Sequence, residues 1–262
     1  MLVTRLATAA LGIPLVLLTV WVGDALLAAV AAGAVFVACV EVAAARGAAR
    51  TPFALLAAAG AAVLPPAAFA GLDYLVGATA GAVLLVSAAL TLTKEPRAHL
   101  DAWLWGVAGV LYFGVLAAHF VLLREAPDGR DWLFFVVLTV WITDTGAYFT
   151  GSLVGRHKLA PAISPGKTWE GAFGSALAGL AAVFGLNEAF DLGLAVEHRV
   201  ALGLLLPPVI TFGDLAESAL KRGLGIKDSS GLVPGHGGIA DRLDSLLFAA
   251  PAVYWYLQWI IL

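Results

Sequence analysis

Nine stretches of this chain are apolar over lengths that approach or reach the thickness of a bilayer, and no other feature restricts its folding so severely. They lie near residues 6–22, 25–45, 53–72, 74–92, 103–123, 132–150, 171–190, 200–215 and 243–260, bounded by charges, proline or glycine. A helix crossing the hydrocarbon core takes about 20 mostly apolar residues. Inside lipid every backbone N–H and C=O must find a partner, which leaves helices and closed barrels as the spanning structures. The runs are rich in Ala and Leu and do not alternate apolar with polar residues, which argues against a barrel. Charged residues make up only 13% of the chain and hydrophobic ones 61%, whereas a soluble domain carries about 25% charge. The expected fold is therefore all-α: a polytopic integral membrane protein with about nine transmembrane helices. Pro65-Pro66 and Pro207-Pro208 interrupt two of the runs, which is tolerated where neighbours satisfy the freed backbone groups. The first run follows Arg5 as a secretory signal would, but no convincing small-x-small cleavage site precedes Asp24, so it reads as a span.

Nine spans sort the 15 basic residues onto two sides. Arg5, Arg46, Arg50, Lys94, Arg97, Arg156, Lys158, Lys167, Lys221, Arg222, Lys227 and Arg242 fall on one side, and only Arg124, Arg130 and Arg199 on the other. The positive-inside rule then predicts a cytoplasmic N-terminus and an external C-terminus. A net charge of −3 argues against nucleic acid as a partner. The single cysteine, Cys39, excludes a disulfide framework and a thiolate metal cluster, and the five histidines are not spaced as zinc ligands.

The two parts of the chain differ in character. Residues 1–130 have short, chemically plain connections and read as a scaffold of transmembrane helices providing dimer and lipid contacts. Residues 131–262 carry two polar loops, 151–170 and 217–242, both on the expected cytoplasmic side. Long polar loops on one face concentrate function. The chain shows no internal repeat and no matched pair of broken helices, which weakens a transporter reading.

Asp214, Glu217, Ser218 and Lys221 have offsets of 0, 3, 4 and 7 and share one helical face. After Lys221-Arg222 comes a stretch holding six glycines, which closes on Asp241-Arg242-Leu243-Asp244-Ser245. Carboxylates gathered at membrane depth call for a cation or a shared proton. Oxygen-only donors suit Mg²⁺, completed by substrate phosphates. Loop glycines let backbone N–H groups approach an anion, and Lys221, Arg222, Lys227 and Arg242 surround it with positive charge. Taken alone, Asp244 reads as an ordinary acidic residue of a helix first turn.

A second constellation runs from Asp144 to Gly171. Asp144, Tyr148, Gly151 and Gly155 would form one stripe on a continued helix, although Gly151 and Gly155 alone read as a helix-packing pair. Gly166-Lys167-Thr168 resembles the end of a phosphate-binding P-loop, but Pro161 stands where that motif needs glycine, in what reads as helical rather than strand surroundings. Taken alone, His157 and His236 read as exposed loop residues; only His236 lies among other candidate site groups.

Ser218-x-Leu220-Lys221-Arg222, then Lys227-Asp228, then Pro234-x-His236-Gly237-Gly238-Ile239-x-Asp241-Arg242-x-Asp244 resembles the defining motif of phosphatidate cytidylyltransferases, also called CDP-diacylglycerol synthases. The Asp144–Gly171 stretch, with Ser164-Pro-x-Lys167-Thr168-x-Glu170-Gly171, is similar to a second segment of that family. The resemblance covers roughly residues 140–250, with an echo in Arg5, Gly12 and Pro14. One departure is Val233, where the family pattern has a larger side chain. The shortness of the chain resembles the bacterial branch.

This resemblance implies transfer of the cytidylyl group of CTP to phosphatidate, giving CDP-diacylglycerol and pyrophosphate, in a bacterial plasma (inner) membrane with the site facing the cytoplasm. It implies Mg²⁺, with room for a second cation, held by Asp214, Asp241 and Asp244. Lys221, Arg222 and Lys227 would meet CTP phosphates or the pyrophosphate leaving group. Ser164, Lys167, Thr168 and Arg242 would bind one or other substrate. Asp144, Tyr148, Ser218, Asp228, His236, Gly237 and Gly238 would line the site, and a homodimer is implied. The rivals are another CTP-using membrane enzyme acting on a polyprenol or an ether lipid and, from a different class, an ion-coupled transporter.

Overall fold

Helices account for nearly all of the computed structural model, which describes residues 2–49, 51–92, 96–235 and 237–262. Arg50, Lys94 and His236 lie outside the described residues. Among the described residues, seven helices are long and apolar enough to cross a bilayer: Asp24–Ala45, Pro52–Ala70, Leu72–Thr91, His99–Arg124, Gly129–Val154, Trp169–Phe190 and Val196–Gly223. The first and last of the nine apolar runs also fold as helices, within Leu2–Val22 and within Ala240–Tyr256 plus a terminal π-helical turn, Leu257–Ile261. The chain is thus an all-α, multi-pass membrane protein. Its outward faces carry large apolar side chains such as Leu84, Leu153 and Phe173, the arrangement lipid permits and water does not.

The chain divides into two units. One consists of Met1–Ala126 with Asp228–Leu243, the other of Pro127–Lys227 with Asp244–Leu262. The first contains α1 (Leu2–Val22), α2 (Asp24–Ala45), α3 (Pro52–Ala62), α4 (Leu64–Ala70), α5 (Leu72–Thr91), α6 (Pro96–Gly109), a π-helical segment Val110–Val115, and α7 (Leu116–Arg124). Pro65 and Pro66 fall just after the point where their run divides into α3 and α4. They stand in the first turn of α4, where a missing N–H costs nothing. Apolar side chains gain little by leaving lipid for each other, so these helices associate through small residues that let backbones approach. A Cβ on Gly114 would come within 2.9 Å of the Ala61 carbonyl oxygen, and one on Gly106 within 3.1 Å of the Ala57 methyl. Leu64, Val35, Val86, Val110 and Leu123 fill the interior.

The second unit begins with α8 (Gly129–Val154), followed by an antiparallel hairpin, β1 (Lys158–Ala160) and β2 (Ser164–Thr168), then α9 (Trp169–Phe190) and α10 (Val196–Gly223). The helix α11 (Ala240–Tyr256) starts in the first unit and continues into this one. Gly166-Lys167-Thr168 therefore sits in a strand that leads into a helix, not in the helical surroundings expected from sequence. The close pairing of α8 and α9 is built on glycine. Side-chain carbons on Gly146, Gly155 and Gly174 would overlap Ala178, Thr168 and Thr150, respectively. Gly151 and Gly155 therefore act in packing.

The helix α10 outruns its apolar stretch by two turns. Its polar extension is held by Lys221 pairing with Glu217 one turn earlier at 2.7 Å and by Ser218 Oγ donating to Asp214 at 3.3 Å. It ends where Gly225 adopts φ +72°, with Gly225 N–H bonding to the Arg222 carbonyl and Ile226 N–H to that of Lys221. This is the glycine-terminated helix end in which a left-handed residue satisfies the last carbonyls.

Candidate functional site

The second unit gathers its polar groups on α10 and on the hairpin before α9. Thr168 ends β2 and caps α9: its buried hydroxyl accepts from Gly171 N–H at 3.1 Å, one of the orphan donors of a helix start. That cap sets the direction of β2, and Lys167, one residue earlier, reaches Asp214. Its ammonium lies 2.9 Å from Asp214 Oδ2 and 3.4 Å from the Thr211 carbonyl. Forty-seven residues separate Lys167 from Asp214 in the chain, and only the hairpin brings them together.

Asp214 also accepts from Ser218, and Glu217, buried, pairs with Lys221. Two ion pairs thus share one face of α10, as the offsets predicted. Next to Asp214, Gly213 lets α10 run against α11, since a Cβ there would meet the Asp244 carbonyl oxygen at 3.0 Å and the Phe248 ring at 2.9 Å. This contact brings the chain at Asp214 beside that at Asp244. The Asp244 carboxylate is half-buried and accepts from Ser245 N–H at 2.7 Å. Arg222 donates to the Ile226 carbonyl at 2.8 Å, which braces the end of α10. Lys227 is exposed, Ser164 is half-buried, and Asp144 and Tyr148 lie on the exposed side of α8.

The first unit holds the glycine-rich loop, and here the structure adds a residue that lies outside the sequence motif. Glu41, one turn from the end of α2, is buried. Its Oε1 accepts from Ser230 Oγ at 2.6 Å and from Ile239 N–H at 3.0 Å. Its Oε2 accepts from Ala240 N–H at 2.9 Å and Ser229 Oγ at 3.2 Å. Asp241 is also buried, and its Oδ2 takes Ser229 N–H, Ser229 Oγ and Gly238 N–H at 2.7–2.9 Å. The anion to which Gly238 yields its backbone is thus the protein's own carboxylate. A Cβ on Gly237, at φ +84°, or on Gly238 would strike these carboxylates. Asp228 and Arg242 are exposed. The available signal for Glu41 was its position as the one acid in the apolar run 25–45. An ionisable residue within a span is costly and therefore informative.

Among the described residues, no three His, Cys, Asp or Glu side chains come close enough together to hold a metal ion.

Fold and site together define a multi-pass α-helical membrane protein that places lysine–carboxylate pairs and a carboxylate-clamped glycine loop at its helix ends. The chain belongs to the cytidylyltransferase family, whose model matches residues 3–260. A Brucella suis protein named phosphatidate cytidylyltransferase is 44% identical over 160 residues, covering 57% of this chain and 56% of that protein. A Staphylococcus epidermidis protein of the same name is 39% identical over 160 residues, 61% of this chain and 60% of its own. One from Brucella melitensis is 46% identical over 160 residues, 57% and 56% respectively. The matched region spans less than two thirds of the length of these relatives.

Proposed function

We propose that the protein transfers the cytidylyl group of CTP to phosphatidate, releasing pyrophosphate and forming CDP-diacylglycerol. The observation that carries this reading is the pairing of Lys167, from the hairpin before α9, with Asp214 on α10, in a family whose similar members bear that activity in their names. Both substrates are anionic and one is a lipid. A phosphate oxygen of phosphatidate attacks the α-phosphorus of CTP, a new P–O bond forms, and the bond to the bridging oxygen of pyrophosphate breaks. No covalent enzyme intermediate is needed. Charge accumulates on the phosphoryl oxygens, so catalysis rests on positioning and electrostatic stabilisation. Lys221, Arg222 and Lys227 are assigned to the CTP phosphates and the leaving pyrophosphate. Ser164, Lys167, Thr168 and Arg242 are assigned to the two head groups, with Asp144, Tyr148, Ser218, Asp228, His236, Gly237 and Gly238 around them.

Mg²⁺ is proposed as the cofactor, with a second cation accommodated, on the ligand set Asp214, Asp241 and Asp244. The donor chemistry fits, because Mg²⁺ is commonly bound through one or two carboxylates and completed by water and substrate phosphates rather than caged by protein. Among the described residues no three carboxylates cluster, so one or two of these aspartates would hold the ion, with water and substrate phosphates completing its shell. Bound there, the ion would neutralise phosphate charge.

The same proposal includes nine spans with a cytoplasmic N-terminus, a site facing the cytoplasm of a bacterial inner membrane, and a homodimer. The apolar helices and the one-sided distribution of basic residues support the spans and their orientation; the homodimer rests on the family resemblance. Labelled CTP tests the reaction. Label from the α-phosphate is expected in the lipid product, only when phosphatidate is present and with one pyrophosphate released per turnover. Transfer of γ-label instead would replace the reading by a lipid kinase.

A further inference from the structure

Glu41 has no place in the sequence motif, yet it accepts three hydrogen bonds from the loop that carries it and shares the single Ser229 hydroxyl proton with Asp241. Two of its donors, Ile239 N–H and Ala240 N–H, are among those left without partners at the start of α11. A side chain of α2 therefore caps a helix 199 residues away in the chain. Asp241, from the first turn of α11, holds the other strand of the loop through Ser229 N–H and Gly238 N–H. Ser229 Oγ lies between the two carboxylates, 3.2 Å from one and 2.9 Å from the other. Further along, Thr8 Oγ1 of α1 donates to the Pro234 carbonyl at 3.0 Å. Four backbone N–H groups of one loop thus end on two buried carboxylates. The glycine at 238 is required because any Cβ there would land on Ser229 Oγ and both Glu41 oxygens.

We infer that Glu41 is a positioning residue: from the membrane helix α2 it fixes the conformation of residues 229–235 and 237–240, and through them the presentation of Asp241 and of the loop's remaining described polar groups. The inference rests on the proposed function for its kinetic consequence, but not for its structural one. A carboxylate has two oxygens for four donors, and an amide has one. Glu41→Gln would turn an NH₂ group toward one of the backbone N–H donors and leave it unsatisfied, so the isosteric variant is expected to fail while Glu41→Asp recovers part of the function.

Hydrogen exchange followed by mass spectrometry on the purified full chain in detergent reads the clamp directly. Loss of a hydrogen bond to a charged acceptor should speed exchange across residues 229–240 by on the order of tenfold, in both Glu41→Gln and Glu41→Ala, with the other helices unchanged. In the same preparations kcat for pyrophosphate release from CTP should fall about as far. Wild-type exchange in this segment, or wild-type kcat with a loosened loop, would overturn the assignment. If the Glu41 variants do not fold, Ser230→Ala removes one donor from Oε1 and should give a smaller acceleration in the same segment; no acceleration there would overturn it too. Should the wild-type protein not turn over CTP with phosphatidate, the proposed reaction falls while the exchange result still decides the clamp.

Discussion

The contact between Lys167 and Asp214 lends itself to a double-mutant cycle. The two charges are 2.9 Å apart, with side chains 22% and 32% exposed, neither in water nor in a dry core. At an effective dielectric near 20, the gross attraction at that separation is about 6 kcal/mol. Desolvation of the two ions offsets several kcal/mol of it. A net coupling of about 0.5–3 kcal/mol remains, the range found for contacting residues in one network. Lys167→Met leaves Asp214 held by Ser218, and Asp214→Asn leaves the ammonium with the Thr211 carbonyl. Each single variant should therefore lose about 0.5–3 kcal/mol, and the double variant no more than the worse single one. Denaturant unfolding of the purified protein in micelles, followed by the fluorescence of its eight tryptophans, gives all four corners of the cycle. Strictly additive losses would refute the contact, and with it the hairpin placement of Lys167 on α10.

Other outcomes are expected from the same geometry. Thr168→Ala removes the cap of α9 and should cost about 1 kcal/mol, with Thr168→Ser restoring most of it in the same unfolding assay. Gly174→Ala pushes a methyl group into Thr150 and should destabilise by about 1–3 kcal/mol, with Thr150→Gly as a suppressor. Asp244→Asn keeps an oxygen for Ser245 N–H, so circular dichroism should be unchanged while pyrophosphate release falls by orders of magnitude. Chelation should abolish release in the wild type, and added Mg²⁺ should restore it.

Most helix positions were legible from hydrophobic run length because lipid leaves so few alternatives. The ends were less legible. Apolarity stops near Leu215, but α10 continues to Gly223, its polar face held by the Glu217–Lys221 pair and by Ser218 donating to Asp214. The face itself was readable, since offsets of 3, 4 and 7 are local geometry. The hairpin was not, because five residues beginning Ser-Pro-Gly carry no strand periodicity, and β2 exists by pairing with β1.

By its own residues, then, the sequence determined that the chain is helical and that it belongs in a membrane, since both follow from apolar run length. Only the tertiary structure decided which charges meet. Lys167 reaches Asp214 across a hairpin, and Glu41 reaches the starting turn of α11 from a helix almost 200 residues earlier. Such pairings depend on which small residues let two backbones approach and on which buried donors lack a local acceptor, and no periodicity along the chain encodes either.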